Sequence, residues 1–123
     1  MIDLKNLTIE KAHNAFKEGV FTCRELTEAY LKVIKEKNKE LNAYLEVFEK
    51  EALLQADEAE VMFQKGTATM LTGIPMALKD NILIKGHIAS AGSKILENHV
   101  ATYDSTAVKV LKKQGVVFLG RTN

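Results

Sequence analysis

Lys79 is the residue of this sequence best placed for chemistry. It closes the run Leu71-Thr72-Gly73-Ile74-Pro75-Met76-Ala77-Leu78, which is short and nearly all apolar. Such a run suits a buried strand, and open α/β sheets bind ligands at the carboxyl ends of their strands. Strand alternation puts Pro75, Ala77 and Lys79 on one face and Ile74, Met76 and Leu78 on the other. The small Ala77 leaves room beside the lysine, so the amine is expected to point into a cleft. A buried ammonium is costly unless paired or neutral, and a lysine serving as a base near neutrality needs about 4 kcal/mol of differential solvation. Two readings follow. Lys79 is a base, or it pairs with a carboxylate such as Asp80 or caps the strand in water.

The other reactive side chains are less well arranged. His13, His87 and His99 are far apart and lack metal-ligand spacing. Ser90, Ser93 and Ser105 lie outside any G-x-S-x-G elbow. Gly115 and Gly120 flank an apolar run without forming a phosphate-binding fingerprint. Cys23 is the only cysteine. That excludes an internal disulfide, and the residue reads as helix packing. Catalytic, cofactor and metal candidates therefore reduce to Lys79, none and none.

The elements that must position Lys79 are readable from periodicity. Ile9, Ala12 and Phe16 recur at helical spacing before Gly19. Thr22-Cys23-Arg24-Glu25 reads as a capping box, opening a helix with Leu26, Ala29, Tyr30, Val33 and Ile34 as its apolar stripe. These two segments are expected to form a helical hairpin. Residues 43–48 fit a strand or an extended link. A third helix is expected over 50–65, with Leu53, Ala56, Ala59 and Phe63 on one side and Gly66 beyond it. After a looser stretch over 87–102, Asp104 fits the N-cap of a helix that ends at Gly115. Val116 to Leu119 is a second buried strand. The fold class is therefore α/β, a mainly helical section (1–66) followed by the start of a mixed or parallel sheet (67–123) with one crossover helix. Residues 74–78 and 116–119 are expected in the middle of that sheet, which these elements alone leave incomplete.

Composition narrows the function classes. Charged residues make up 27% of the chain and the net charge is +1, so no global field recruits nucleic acid or an anionic membrane. Charges at Asp3 and Lys5 occupy the place where a signal peptide needs an apolar run. No apolar stretch approaches the ~20 residues of a membrane span. A cytoplasmic protein is expected.

The segment Leu71-Thr72-Gly73-Ile74-Pro75-Met76-Ala77-Leu78-Lys79-Asp80-Asn81 resembles the stretch carrying the catalytic lysine of amidase-signature enzymes, approximately L-x-G-[IV]-P-x-[AG]-[IVL]-K-D. The resemblance continues in Ser93-Lys94-Ile95-Leu96-Glu97-Asn98, Tyr103-Asp104-Ser105-Thr106-Ala107-Val108 and Gly115-Val116-Val117-Phe118-Leu119-Gly120-Arg121-Thr122-Asn123. Within the family these pieces, with Leu26-Thr27-Glu28-Ala29-Tyr30-Leu31 and Leu41-Asn42-Ala43-Tyr44, look most like tRNA-dependent amidotransferase A subunits. One departure is Ser90-Ala91-Gly92-Ser93-Lys94, closer to general amidases than the usual T-C-A-S-K.

The resemblance implies a Ser–cis-Ser–Lys triad, with Lys79 as the neutral base. Lys79 takes a proton, through a bridging serine, from the serine that attacks the glutamine amide, and ammonia leaves. It also implies a heterotrimer. A B subunit uses ATP and Mg to activate the glutamate of Glu-tRNA(Gln), the ammonia converts it to Gln-tRNA(Gln), and a C subunit ties the two together. The family's Gly/Ser-rich serine segments do not occur in residues 1–123, so a fragment without the catalytic serines is expected. A piece of a general small-amide amidase and a non-catalytic interaction module are the competing readings.

Overall fold

The computed structural model describes residues 1–123 as four α-helices and three strands. Helix α1 (Ile9–Glu18) is capped by the Thr8 hydroxyl and closed by Gly19 at φ 72°. Helix α2 (Cys23–Leu41) carries the expected capping box, with Thr22 and Glu25 each satisfying the other's amide. The chain leaves α2 through Asn42 at φ 50°, and the Asn38 side chain clamps both backbone groups of Tyr44, at 2.8 and 2.9 Å. That clamp starts β1 (Tyr44–Val47), which settles the choice between strand and link. Helix α3 (Glu49–Gln64) follows at once, then β2 (Pro75–Lys79), a single 3₁₀ turn (Lys94–Leu96), α4 (Thr106–Lys113) and β3 (Val117–Thr122).

The sheet is mixed, in the order β1-β3-β2. β3 pairs antiparallel with β1 and parallel with β2. Within residues 1–123 only β3 has a neighbour on each side, and β2 forms an open edge, as expected of a sheet that these elements alone leave incomplete. Pro75, the first residue of β2, lacks the amide a ladder needs and so belongs at such a position. Where β1 gives way to α3, the Gln55 carboxamide continues the pairing by accepting from the Phe118 amide at 2.8 Å. The ladder register shifts between Met76 and Ala77 on one side of β3 and between Tyr44 and Glu46 on the other.

Two layers cover the sheet. On one face Val117 and Leu119 pack against Leu31 and Ile34 of α2 and Ala52, Ala56 and Ala59 of α3. The three alanines are 0% exposed, and their small size lets α2 lie close along α3. The helix pair is thus α2–α3, not the hairpin of α1 with α2 expected from sequence. α1 meets α2 where Ala12, Leu26 and Ile74 pack with Phe16 and Tyr30, and Phe16 also reaches the α2–α3 core. On the other face Val108 of α4 packs with Leu78, Ile84, Val116 and Phe118. Full burial of each such Val, Leu or Phe contributes roughly 1.5–3 kcal/mol.

The start of β2 is fastened to the end of α4. The Thr72 hydroxyl donates to the Gln114 carbonyl at 2.7 Å and the Gly73 amide to the Gly115 carbonyl at 2.8 Å. Gly73 has φ 76°, and a Cβ there would overlap the Cys23 sulfur outright. The motif glycine is therefore required by backbone conformation and by lack of space.

Candidate functional site

Lys79 is the last residue of β2, at the carboxyl end of a parallel strand. Its side chain is exposed and makes no hydrogen bond or ion pair. Register aligns Lys79 with Thr122 and Thr122 with Tyr44. Tyr44 packs against the α2–α3 core, so the row marks Lys79's face as the one those helices cover. The cover does not reach β2's end, because Ala77 is exposed beside Lys79. In residues 1–123 the lysine therefore stands on open sheet, not in the expected cleft.

Asp80 does not pair with Lys79. Consecutive residues of an extended chain point to opposite faces, and Asp80 is turned inward at 2% exposure. Its carboxylate accepts from the Ser90 amide at 2.9 Å, from the Ser90 hydroxyl, and from Arg121 Nη1 at 2.7 Å. Arg121 also reaches Glu46 at 3.5 Å from its other terminal nitrogen. Burial is the largest influence on Asp80 and pushes its carboxyl up. The Ser90 hydroxyl and amide and the Arg121 guanidinium together outweigh it and hold the carboxyl below the ordinary aspartate range. The ion pair offered by sequence for Lys79 is thus formed by a residue 41 positions further on.

The backbone around Lys79 is equally constrained. The Asp80 amide donates to the Thr122 carbonyl at 2.8 Å, the Ile82 amide to the Lys79 carbonyl at 3.0 Å, and the Ala91 amide to the Asp80 carbonyl at 3.2 Å. Ala91 at φ 50° and Gly92 at φ 71° turn the loop sharply after Ser90. The sequence pointed to Lys79 but not to Arg121 or Ser90. A single arginine ending an otherwise apolar strand was the available signal.

Several of the remaining candidates have structural roles. Cys23 is 0% exposed in the α2–α3 core, and burial followed by the Glu60 carboxylate pushes its thiol well up, away from a nucleophilic thiolate. His13 lies against the Phe63 ring. His87 stacks on Phe48 at 4.0 Å and meets Glu51 at 2.8 Å. Ser93 precedes the 3₁₀ turn. Ser105, not Asp104, caps α4, accepting from the Val108 amide at 3.3 Å. Asp104 instead accepts from the Lys85 amide and from Lys112 Nζ, each at 2.8 Å. No helix is long and apolar enough to cross a membrane.

Comparison with known proteins converges on one family. A family model described as amidase matches residues 25–123. Over all 123 residues the chain is 42% identical to the A subunit of glutamyl-tRNA(Gln) amidotransferase from Acinetobacter baumannii, covering 25% of that protein. The Dehalococcoides mccartyi counterpart is also 42% identical over 123 residues, with 25% of its length covered. Among solved structures, peptide amidase from Stenotrophomonas maltophilia superposes with a TM-score of 0.90 at 30% identity, over 98% of this chain and 25% of that one. The chain thus spans about a quarter of the length of the relatives it matches.

Proposed function

The chain belongs to the amidase family, and from that membership we propose that it is the lysine-bearing part of a glutamyl-tRNA(Gln) amidotransferase A subunit. The observation that carries this reading is identity of 42% to A subunits along the whole chain, against 30% to the peptide amidase. Lys79, at a strand's carboxyl end with its neighbouring carboxylate engaged elsewhere, is the proton acceptor of the proposed chemistry. It takes a proton, relayed through a second serine, from the serine that attacks the glutamine side-chain amide. The amide C–N bond breaks and ammonia departs. Both serines lie outside residues 1–123, in the remainder of the proposed enzyme. The ammonia converts Glu-tRNA(Gln) to Gln-tRNA(Gln), with B and C subunits as partners and ATP and Mg used by the former.

A chimera tests this. The chain replaces the segment it matches in the A. baumannii protein, co-expressed with the B and C partners. Glutamine hydrolysis and Gln-tRNA(Gln) formation are expected, and Lys79→Ala should remove most of both. Lys79→Arg should not restore them, because a guanidinium does not give up its proton. An active arginine variant overturns the base role. Hydrolysis of simple amides with no turnover of glutamine points to a general amidase, and a folded but inert chimera to a non-catalytic module.

A further inference from the structure

We propose that Asp80, together with Ser90 and Arg121, is a positioning residue for the amide-hydrolysis reaction, fixing the backbone from which Lys79 projects. The inference rests on the base role of Lys79 proposed above. Lys79 itself has no side-chain partner, so its placement depends on what holds its Cα. That atom lies at the end of β2, which within residues 1–123 is paired on one side only, so the strand end is free to fray.

Asp80 opposes the fraying from three directions. Its amide extends the β2–β3 ladder one residue past Lys79, to the Thr122 carbonyl at 2.8 Å. Its carboxylate draws in Arg121, the β3 residue in register with Leu78. The same carboxylate takes the Ser90 amide and hydroxyl, while its carbonyl takes the Ala91 amide. Ser90 is ten positions away, so this closes the loop 80–90 onto the strand end. The charge balance suits the task. A carboxylate buried at 2% exposure, with a guanidinium and two further donors, is satisfied without using the lysine. Alternation then separates the roles: the anchor is buried on one side of the strand and the reacting amine stays free on the other.

An amine displaced by about 1 Å loses on the order of a hundredfold in rate. The test uses the assembled amidotransferase carrying this chain, with Asp80→Asn and Ser90→Ala. Each kcat for glutamine hydrolysis is divided by the folded fraction from thermal melting of the same preparation. Expected is a fall of about ten- to a hundredfold in normalised kcat, with KM for glutamine within about twofold. Ser90→Thr, which keeps the hydroxyl, should recover most of the loss. A merely structural role would return normalised kcat to the wild-type value, and that result overturns the inference. Should Asp80→Asn not fold, Ser90→Ala decides alone, since it leaves the Ser90 amide and Arg121 on the carboxylate. If Lys79→Ala retains activity, the base reading fails. If Lys79→Ala is dead while both network variants keep wild-type normalised kcat, only the positioning inference fails.

Discussion

Gly73→Ala is the substitution whose cost can best be worked from the structure. The glycine sits at φ 76°, where an L side chain costs roughly 1–2 kcal/mol. Its new methyl would overlap the Cys23 sulfur and stand 3.1 Å from the Cys23 Cβ and 3.3 Å from the Phe16 ring. Overpacking of this kind typically costs a further 1–3 kcal/mol, giving about 2–5 kcal/mol in all. Cys23 supplies the assay. It is the sole cysteine, 0% exposed, and burial with Glu60 pushes its thiol up, so a thiol reagent reaches it only through opening. Labelling at sub-micromolar protein, mapped to Cys23 by peptide mass, should accelerate about thirty- to several-thousand-fold in Gly73→Ala, at roughly 1.4 kcal/mol per decade. Gly66→Ala is the control. It shares a positive φ of 72° but has nothing within 4 Å of its Cβ, so it should bear the conformational cost alone. A Gly73→Ala rate no faster than that of Gly66→Ala would refute the overlap.

Other outcomes follow from the same contacts. Arg121→Met strands the buried Asp80 carboxylate, and urea unfolding should register a loss of about 3–5 kcal/mol. Asp80 also sets a pH dependence. Its folded carboxyl is held below the unfolded value, so its stabilisation is complete above about pH 4 and is lost as pH falls through the folded pKa; Asp80→Asn should flatten that acid limb in pH-dependent melting. Thr22→Ala breaks the capping box and should cost about 1 kcal/mol in the same unfolding assay. As an isolated 123-residue polypeptide the chain has an unpaired β2 edge, and size-exclusion chromatography at high concentration should show self-association; a monodisperse monomer would contradict it.

What was legible in the sequence was local. The Thr22–Glu25 box and the glycines at 19 and 115 act within one helical turn, and the structure has all of them. The N-cap expected at Asp104 lies one residue further on, at Ser105. Lys85, nineteen positions back, took Asp104. The α1–α2 hairpin failed for a related reason. Apolar stripes say which face of a helix is buried but not against what, and the alanine row of α3 accepts α2 more closely than α1 does. The register shifts leave no mark in hydrophobic alternation, because the extra residues, Leu119 of β3 against β2 and Leu45 of β1 against β3, are defined only by the strand opposite.

The candidate site divides along the same line. That Lys79 ends a strand follows from the run before it, and resemblance singled it out. What Asp80 does depends on Arg121, and no local rule connects them. The pairing has a consequence for catalysis. A lysine becomes a base when its surroundings remove water or raise the local positive potential. Within residues 1–123 the half-buried Arg121 guanidinium near the strand end is neutralised by Asp80, and Lys79 stands exposed on open sheet. These residues therefore place the amine without desolvating it. In the proposed enzyme the groups that cover the sheet beside Ala77 must do so, and they are expected to bring the two serines with them. Placement and activation of the base would then be separate tasks, the first carried by the Asp80 network and the second by the surface that closes over Lys79.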